Sequence, residues 1–183
     1  LAPVLLAIVA FLSIGEALSL MQMLAVALIS LGIMALSLGA GASRQAVGFA
    51  LATGVSVAGY SFFAGMGVRS AGTVLGFQAC LEVVTGFGMV GYGLIVRRGD
   101  IGAYARRHGA IGLLAGALSV AGFLAFLLAA RSLPLGPVVA LRETSVIFGA
   151  VIGTVVLKES FGIRRIAASV LVVGGIALLA VPH

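Results

Sequence analysis

The stretch AIGLLAGALSVAGFLAFLLAA, Ala110–Ala130, runs for 21 residues without a charge. Wound as a helix it reaches about 32 Å, the thickness of a bilayer's hydrocarbon core. Working outward, Ala46–Gly67, Gly72–Val96, Leu135–Leu157 and Ile166–Val181 are predominantly apolar as well, and Leu20–Ala40 again holds no charge. Leu1–Ile14 is apolar but too short to span, and reads as the end of a helix whose first turns precede Leu1. It has no cationic region ahead of its apolar residues, so it does not read as a signal peptide. In lipid only a helix or a closed barrel satisfies the backbone, and barrel strands alternate over about ten residues. Unbroken runs of this length are helices. The expected fold is an all-α polytopic membrane bundle of about seven transmembrane helices, six full and one partial.

Composition agrees. Of 183 residues, 62% are hydrophobic before 27 glycines are counted, and 9% are charged against about 25% in a soluble domain. One compact core of this size buries only about 70% of the chain's surface, so a water-soluble enzyme or nucleic-acid module is excluded. The net charge of +6 lies in short clusters between apolar runs, the pattern of loops held at a membrane face rather than of a phosphate-reading surface. The one cysteine, Cys80, reads as a small buried apolar side chain.

The two ends resemble one another at a shift of 143 positions: Ala7 falls on Ala150, Glu16 on Glu159, Ala25 on Ala168, Leu28 on Leu171, Gly32 on Gly175, Ile33 on Ile176 and Leu36 on Leu179. The implied unit has five spans and is complete over 45–182, while 1–41 keeps the last two helices of a preceding, truncated unit. Five is odd, so consecutive units lie upside down relative to each other, the inverted-repeat plan of many secondary transporters.

The string Ala140-Leu141-Arg142-Glu143-Thr144-Ser145-Val146, followed by Leu157-Lys158-Glu159 and Gly174-Gly175-Ile176, resembles the end of an EamA domain, the five-helix unit of the drug/metabolite transporter superfamily. Ala52-Thr53-Gly54, Tyr60 and Gly67-Val68-Arg69 are similar to its start. That unit usually carries Pro where Val146 stands; Pro3 is the first copy's equivalent. The resemblance implies a multi-pass transporter of the cell membrane that moves small metabolites or drug-like solutes, by efflux or exchange, through alternating access. Two other readings stand beside it: a non-transporting membrane subunit engaged in assembly or lipid handling, and an inactive fragment of a transporter. The residues name no substrate.

A charge at mid-bilayer costs about 2.5–3.5 kcal/mol on insertion scales, so polar residues inside the spans are the candidate pathway. Gln78, Glu82, Thr85 and Met89 recur on one helical face, with Glu82 near the middle of its span. Thr53, Ser56, Tyr60 and Gly67 form a matching stripe on the preceding helix. Such stripes suit a wet cavity; for Thr53, Ser56 and Thr85 a hydrogen bond to the helix's own backbone is the competing role. Arg142 shares a face with Ser145, Gly149 and Gly153, and is expected to pair with Glu82 or with an anionic substrate. Glu143 points about 100° away from Arg142 and is expected to be its poor partner. If transport is coupled to protons, Glu82 is the group expected to carry them.

Glu16 and Glu159, in short interhelical links, read as structural acids beside helix N-termini. Gly149-xxx-Gly153, Gly112-xxx-Gly116 and Gly175 read as close-packing positions. Gly86–Gly91 matches a dinucleotide fingerprint but lies inside a membrane helix with no strand before it, and is rejected. His108 and His183 stand alone. No residues offer metal-ligand spacing or a catalytic triad, so no metal, cofactor, nucleic-acid partner or enzyme activity is expected. Oligomeric state is not encoded in any motif.

Alternate links put Arg44, Arg97, Arg98, Arg106, Arg107, Lys158, Arg164 and Arg165 on one side and Arg69 and Arg131 on the other. The positive-inside rule makes the first side cytoplasmic and the C-terminus external; the resemblance implies both ends inside. The Arg97–Arg107 loop is open to two roles, contact with anionic lipid headgroups or a solvated anchor.

Overall fold

The computed structural model describes residues 2–37, 44–96, 101–145, 147–149, 152 and 163–180. These residues are helical throughout, apart from short links, with no strand among them. The helices are α1 (Ala2–Ile14), α2 (Leu20–Ser37), α3 (Arg44–Ser70), α4 (Val74–Val96), α5 (Ile101–Ser132), α6 (Leu135–Glu143) and α7 (Ile163–Ala180).

Local chemistry sets the boundaries. Pro3 sits in the first turn of α1, where a missing N–H costs nothing. Gly15, at φ +65°, ends that helix in a left-handed conformation, and its N–H donates to the Phe11 carbonyl at 3.1 Å. Helix α2 opens with a reciprocal capping box. The Gln22 N–H donates to Ser19 Oγ at 3.2 Å, and the Ser19 N–H donates to Gln22 Oε1 at 3.0 Å. Thr73 caps α4 through a 3.1 Å bond from the Gly76 N–H.

Val47–Ser70, Val74–Val96 and Arg106–Ser132 are long and apolar enough to cross a membrane. Ala2–Ile14, Leu20–Ala35 and Ala167–Ala180 are apolar but shorter. The described helices therefore give three full-length spans where the apolar runs predict six. The described part of α2 has 18 residues and reaches about 27 Å, just under the core thickness. The expected continuous helix Leu135–Leu157 is interrupted: α6 stops at Glu143, Thr144 forms a turn, and helical backbone returns at Ser145. Helix α5 begins nine residues before the Ala110 expected from hydropathy.

The chain forms two compact units. The first comprises Leu1–Gly65 with Leu133–His183. Its most extensive contact is α2 against α7, followed by α1 against α6. Val26, Ile29, Ala140 and Val172 form its buried centre, with Val4, Ile33, Ile147, Ile176 and Leu179 packed around them. A Cβ on Gly32 would lie 2.6 Å from Val172 and 2.8 Å from the Ala168 carbonyl. A Cβ on Gly175 would lie 2.6 Å from Ile29 and 2.9 Å from the Ala25 carbonyl. Both glycines are therefore required by close antiparallel packing of backbone on backbone.

The second unit is Met66–Ser132, the end of α3 with α4 and α5. Its buried residues are Val68, Val74, Gln78, Phe126, Leu127 and Ala130. Most other large apolar side chains there are exposed, among them Phe87, Met89, Ile111 and Leu113. An apolar surface that broad is stable against lipid and not against water. Cys80 is exposed on α4 and not buried as its apolar surroundings suggest; an apolar neighbourhood in sequence marks a lipid-facing position here as readily as a core one.

Candidate functional site

In the first unit, α3 and α6 bring Tyr60, Arg142 and Glu143 together. Arg142 Nη2 donates to the Tyr60 hydroxyl. The guanidinium carbon also lies 5.1 Å from the centroid of the Tyr60 ring, within cation–π range. Glu143 Oε1 stands 3.6 Å from the same Nη2, and both charged side chains are half-buried, at 26% and 23% exposure. This corrects the expectation that adjacent helix positions hold them apart. The Cα–Cβ directions diverge, but the long arginine side chain folds across the gap. At 3.6 Å the contact is an electrostatic approach and not a hydrogen bond.

Backbone geometry beside Arg142 is tightened. The Thr144 N–H donates to the Leu141 carbonyl at 3.1 Å, the Ile147 N–H donates to the Thr144 carbonyl at 2.9 Å, and Thr144 Oγ1 donates to the Leu141 carbonyl at 2.6 Å. Three-residue spacings of this kind inside an α-helix mark a local 3₁₀ turn, a frequent companion of functional positions. Ser145, on the Arg142 face, is exposed. Gly149 is exposed, and a Cβ there meets nothing within 4 Å among the described residues, so close packing is not its role in them. The same openness holds at Gly112 and Gly116. Gly153 and Glu159 lie outside the described residues.

The N-terminus of α6 has a cap the sequence did not disclose. Pro134 precedes it and offers no side-chain acceptor; the Leu135 N–H instead donates to Glu16 Oε2 at 3.2 Å. Glu16 thus serves a helix that starts 119 positions away in sequence. Gly65, on α3, lies against Leu135, where a Cβ would come within 2.5 Å of a leucine methyl.

The hydroxyl stripe on α3 is exposed at Thr53, Ser56 and Tyr60, and Thr53 Oγ1 donates to the Phe49 carbonyl at 2.8 Å. Its buried neighbour is Ser61, fully enclosed, with a hydroxyl that has no hydrogen-bond partner among the described residues. Ser61 was missed because it stands one position off the Ser56–Tyr60 stripe, and only its burial distinguishes it.

In the second unit, Gln78 is 4% exposed and its Nε2 donates to the Val120 carbonyl at 2.8 Å, tying α4 to α5. Its Oε1 is buried without a partner among the described residues. One turn on, Glu82 is exposed, and Thr85 Oγ1 donates to the Leu81 carbonyl at 2.7 Å, the self-satisfying bond typical of a helical threonine. At the end of this unit, Arg69 Nε donates to the Ala130 carbonyl at 2.9 Å and Arg131 Nη2 reaches the Gly72 carbonyl at 3.5 Å. No group of three or more His, Cys, Asp or Glu residues converges to hold a metal among the described residues.

No curated protein and no solved structure matches the chain. The family model of the EamA-like transporter family matches residues 44–181, from the start of α3 past the end of α7. With three helices long and apolar enough to cross a membrane and a family match over most of its length, the chain belongs to the EamA-like transporter family, a family of membrane proteins.

Proposed function

We propose that the chain acts as a small-solute transporter of the cell membrane, working by efflux or exchange, with the Tyr60–Arg142–Glu143 cluster on the solute's path. The observation that carries this reading is a half-buried guanidinium held by an aromatic hydroxyl and ring beside a tightened helical turn. An arginine inside an apolar span is expensive and is retained where it meets water or a polar solute. Tyr60 and Glu143 hold its side chain in place, and the turn at Thr144 gives α6 a point at which the two parts of that span can tilt separately.

We further propose alternating access between two related inverted units. Support comes from the α2–α7 contact. Gly32 packs on Ala168 and Val172, and Gly175 packs on Ala25 and Ile29; each of these pairs of equivalents is offset by the same 143 positions. Equivalent residues meeting reciprocally across antiparallel helices is what a two-fold axis in the membrane plane would generate. Glu82 is the proposed proton carrier if the transport is proton-coupled, and the positive-inside rule assigns the Arg106–Arg107 end of α5 to the cytoplasm.

The experiment is uptake into proteoliposomes, screened over amino acids, nucleosides and cationic dyes, with and without a pH gradient. Arg142→Gln should abolish uptake of the responsive solute while the protein still inserts and migrates as a single species in detergent. Glu82→Gln should remove only the response to the gradient. Full activity of Arg142→Gln would refute the site.

A further inference from the structure

We propose that the membrane-protruding start of α5 is a binding surface for an anionic phospholipid, with Arg106 and Arg107 on the headgroup phosphate and the helix face below them along an acyl chain. Helix α5 has 32 residues and spans about 48 Å, well beyond a hydrocarbon core of about 30 Å. Its stretch Gly109–Ala130 carries no ionisable group and covers about 33 Å. Seating that stretch in the core sets Arg106 and Arg107 at one headgroup level and Arg131 at the other.

The two ends then use their cations differently. At the Arg131 end, the guanidiniums of Arg69 and Arg131 are turned onto the carbonyls of Ala130 and Gly72, fastening helix ends together. At the opposite end the side chains of Arg106 and Arg107 are exposed. Adjacent positions fan about 100° apart around the helix, so the pair covers a broad arc of the headgroup layer. The sequence from Arg97 to Arg107 holds four arginines against the single acid Asp100. A planar guanidinium fork binds phosphate oxygens in pairs, which a lysine ammonium does not.

Below the arginines the surface suits a lipid tail. Arg107, Ile111, Leu114 and Leu118 follow at intervals of four, three and four residues, on one helical face. Ile111, Leu114 and Leu118 are 71%, 63% and 66% exposed, leaving a continuous apolar track beneath a cation. A phosphate above and a hydrocarbon below is the pattern of a phospholipid molecule. A free phosphate would use the upper part alone.

The test exploits the absence of tryptophan from the chain. Leu114→Trp, or Leu118→Trp should the first fail to fold, places a single fluorophore on the track. Quenching by brominated phosphatidylglycerol is compared with quenching by brominated phosphatidylcholine in reconstituted vesicles at low salt. We expect the anionic lipid to be preferred severalfold, at about fivefold per engaged cation. Arg106→Gln with Arg107→Gln should return the ratio to about one, and a reporter at Leu128→Trp, near the engaged Arg131, should show no such preference. Equal quenching by both lipids at Leu114→Trp would overturn the proposal and leave a solvated anchor. A preference that survives the double substitution would overturn it as well.

Discussion

Arg142 is the residue on which the proposed solute path depends. Its guanidinium is stabilised by a charge-assisted hydrogen bond to the Tyr60 hydroxyl, by the face of the Tyr60 ring and by the approach of Glu143. The hydrogen bond is the largest of these, at about 1.5–3 kcal/mol for a bond to a charged group. A half-exposed cation–π contact contributes about 0.5–1 kcal/mol. Tyr60→Phe keeps the ring and deletes the acceptor, so we expect solute affinity to fall about tenfold, whereas Tyr60→Leu, which deletes both, should fall further. Initial uptake rates against solute concentration measure this; unchanged affinity in Tyr60→Phe would show that the hydroxyl does not position Arg142. The sequence marked Tyr60, Arg142 and Glu143 as polar residues in apolar spans. It did not reveal that they meet, because Tyr60 and Arg142 are 82 positions apart and their encounter depends on how α6 lies against α3.

At the element scale, interruptions and glycines carry the information. Hydropathy made the helices legible, since a long charge-free run has no other way to satisfy its backbone in lipid. It could not disclose the turn at Thr144, which stands among Arg142, Glu143 and Ser145 with neither Pro nor Gly at the break and is held by its own hydroxyl on the Leu141 carbonyl. Nor could it separate close-packing glycines from open ones. Gly32 and Gly175 face carbonyls and side chains of the opposing helix, while Gly112, Gly116 and Gly149 meet nothing within 4 Å among the described residues. Gly175→Ala should therefore destabilise the protein by about 1–3 kcal/mol through forced separation of α2 and α7. Gly112→Ala should be neutral or slightly stabilising, because alanine is the better helix former. Equilibrium unfolding in mixed micelles compares the two, and equal stabilities would mean that α2 and α7 are not in contact at Gly175. Glu16 teaches the same lesson: an acid beside a helix start was legible, but the helix it caps is α6, brought to it only by folding.

On the scale of the whole molecule, the broad exposure of leucine, valine and phenylalanine on α4 and α5 and the family match together define a membrane protein of a transporter family. We propose that the Arg142 cluster borders water at a depth where its neighbours border lipid. Ser145 lies three positions along the Arg142 face, and Leu113, 77% exposed, lies within the charge-free part of a full-length span. The single native thiol, Cys80, is removed as Cys80→Ala, and a cysteine is placed at either position. The direct measurement is the rate of modification by a membrane-impermeant thiol reagent in reconstituted vesicles. The account predicts rapid labelling of Ser145→Cys, slowed by the transported solute, and negligible labelling of Leu113→Cys; labelling of Ser145→Cys no faster than that of Leu113→Cys would contradict it.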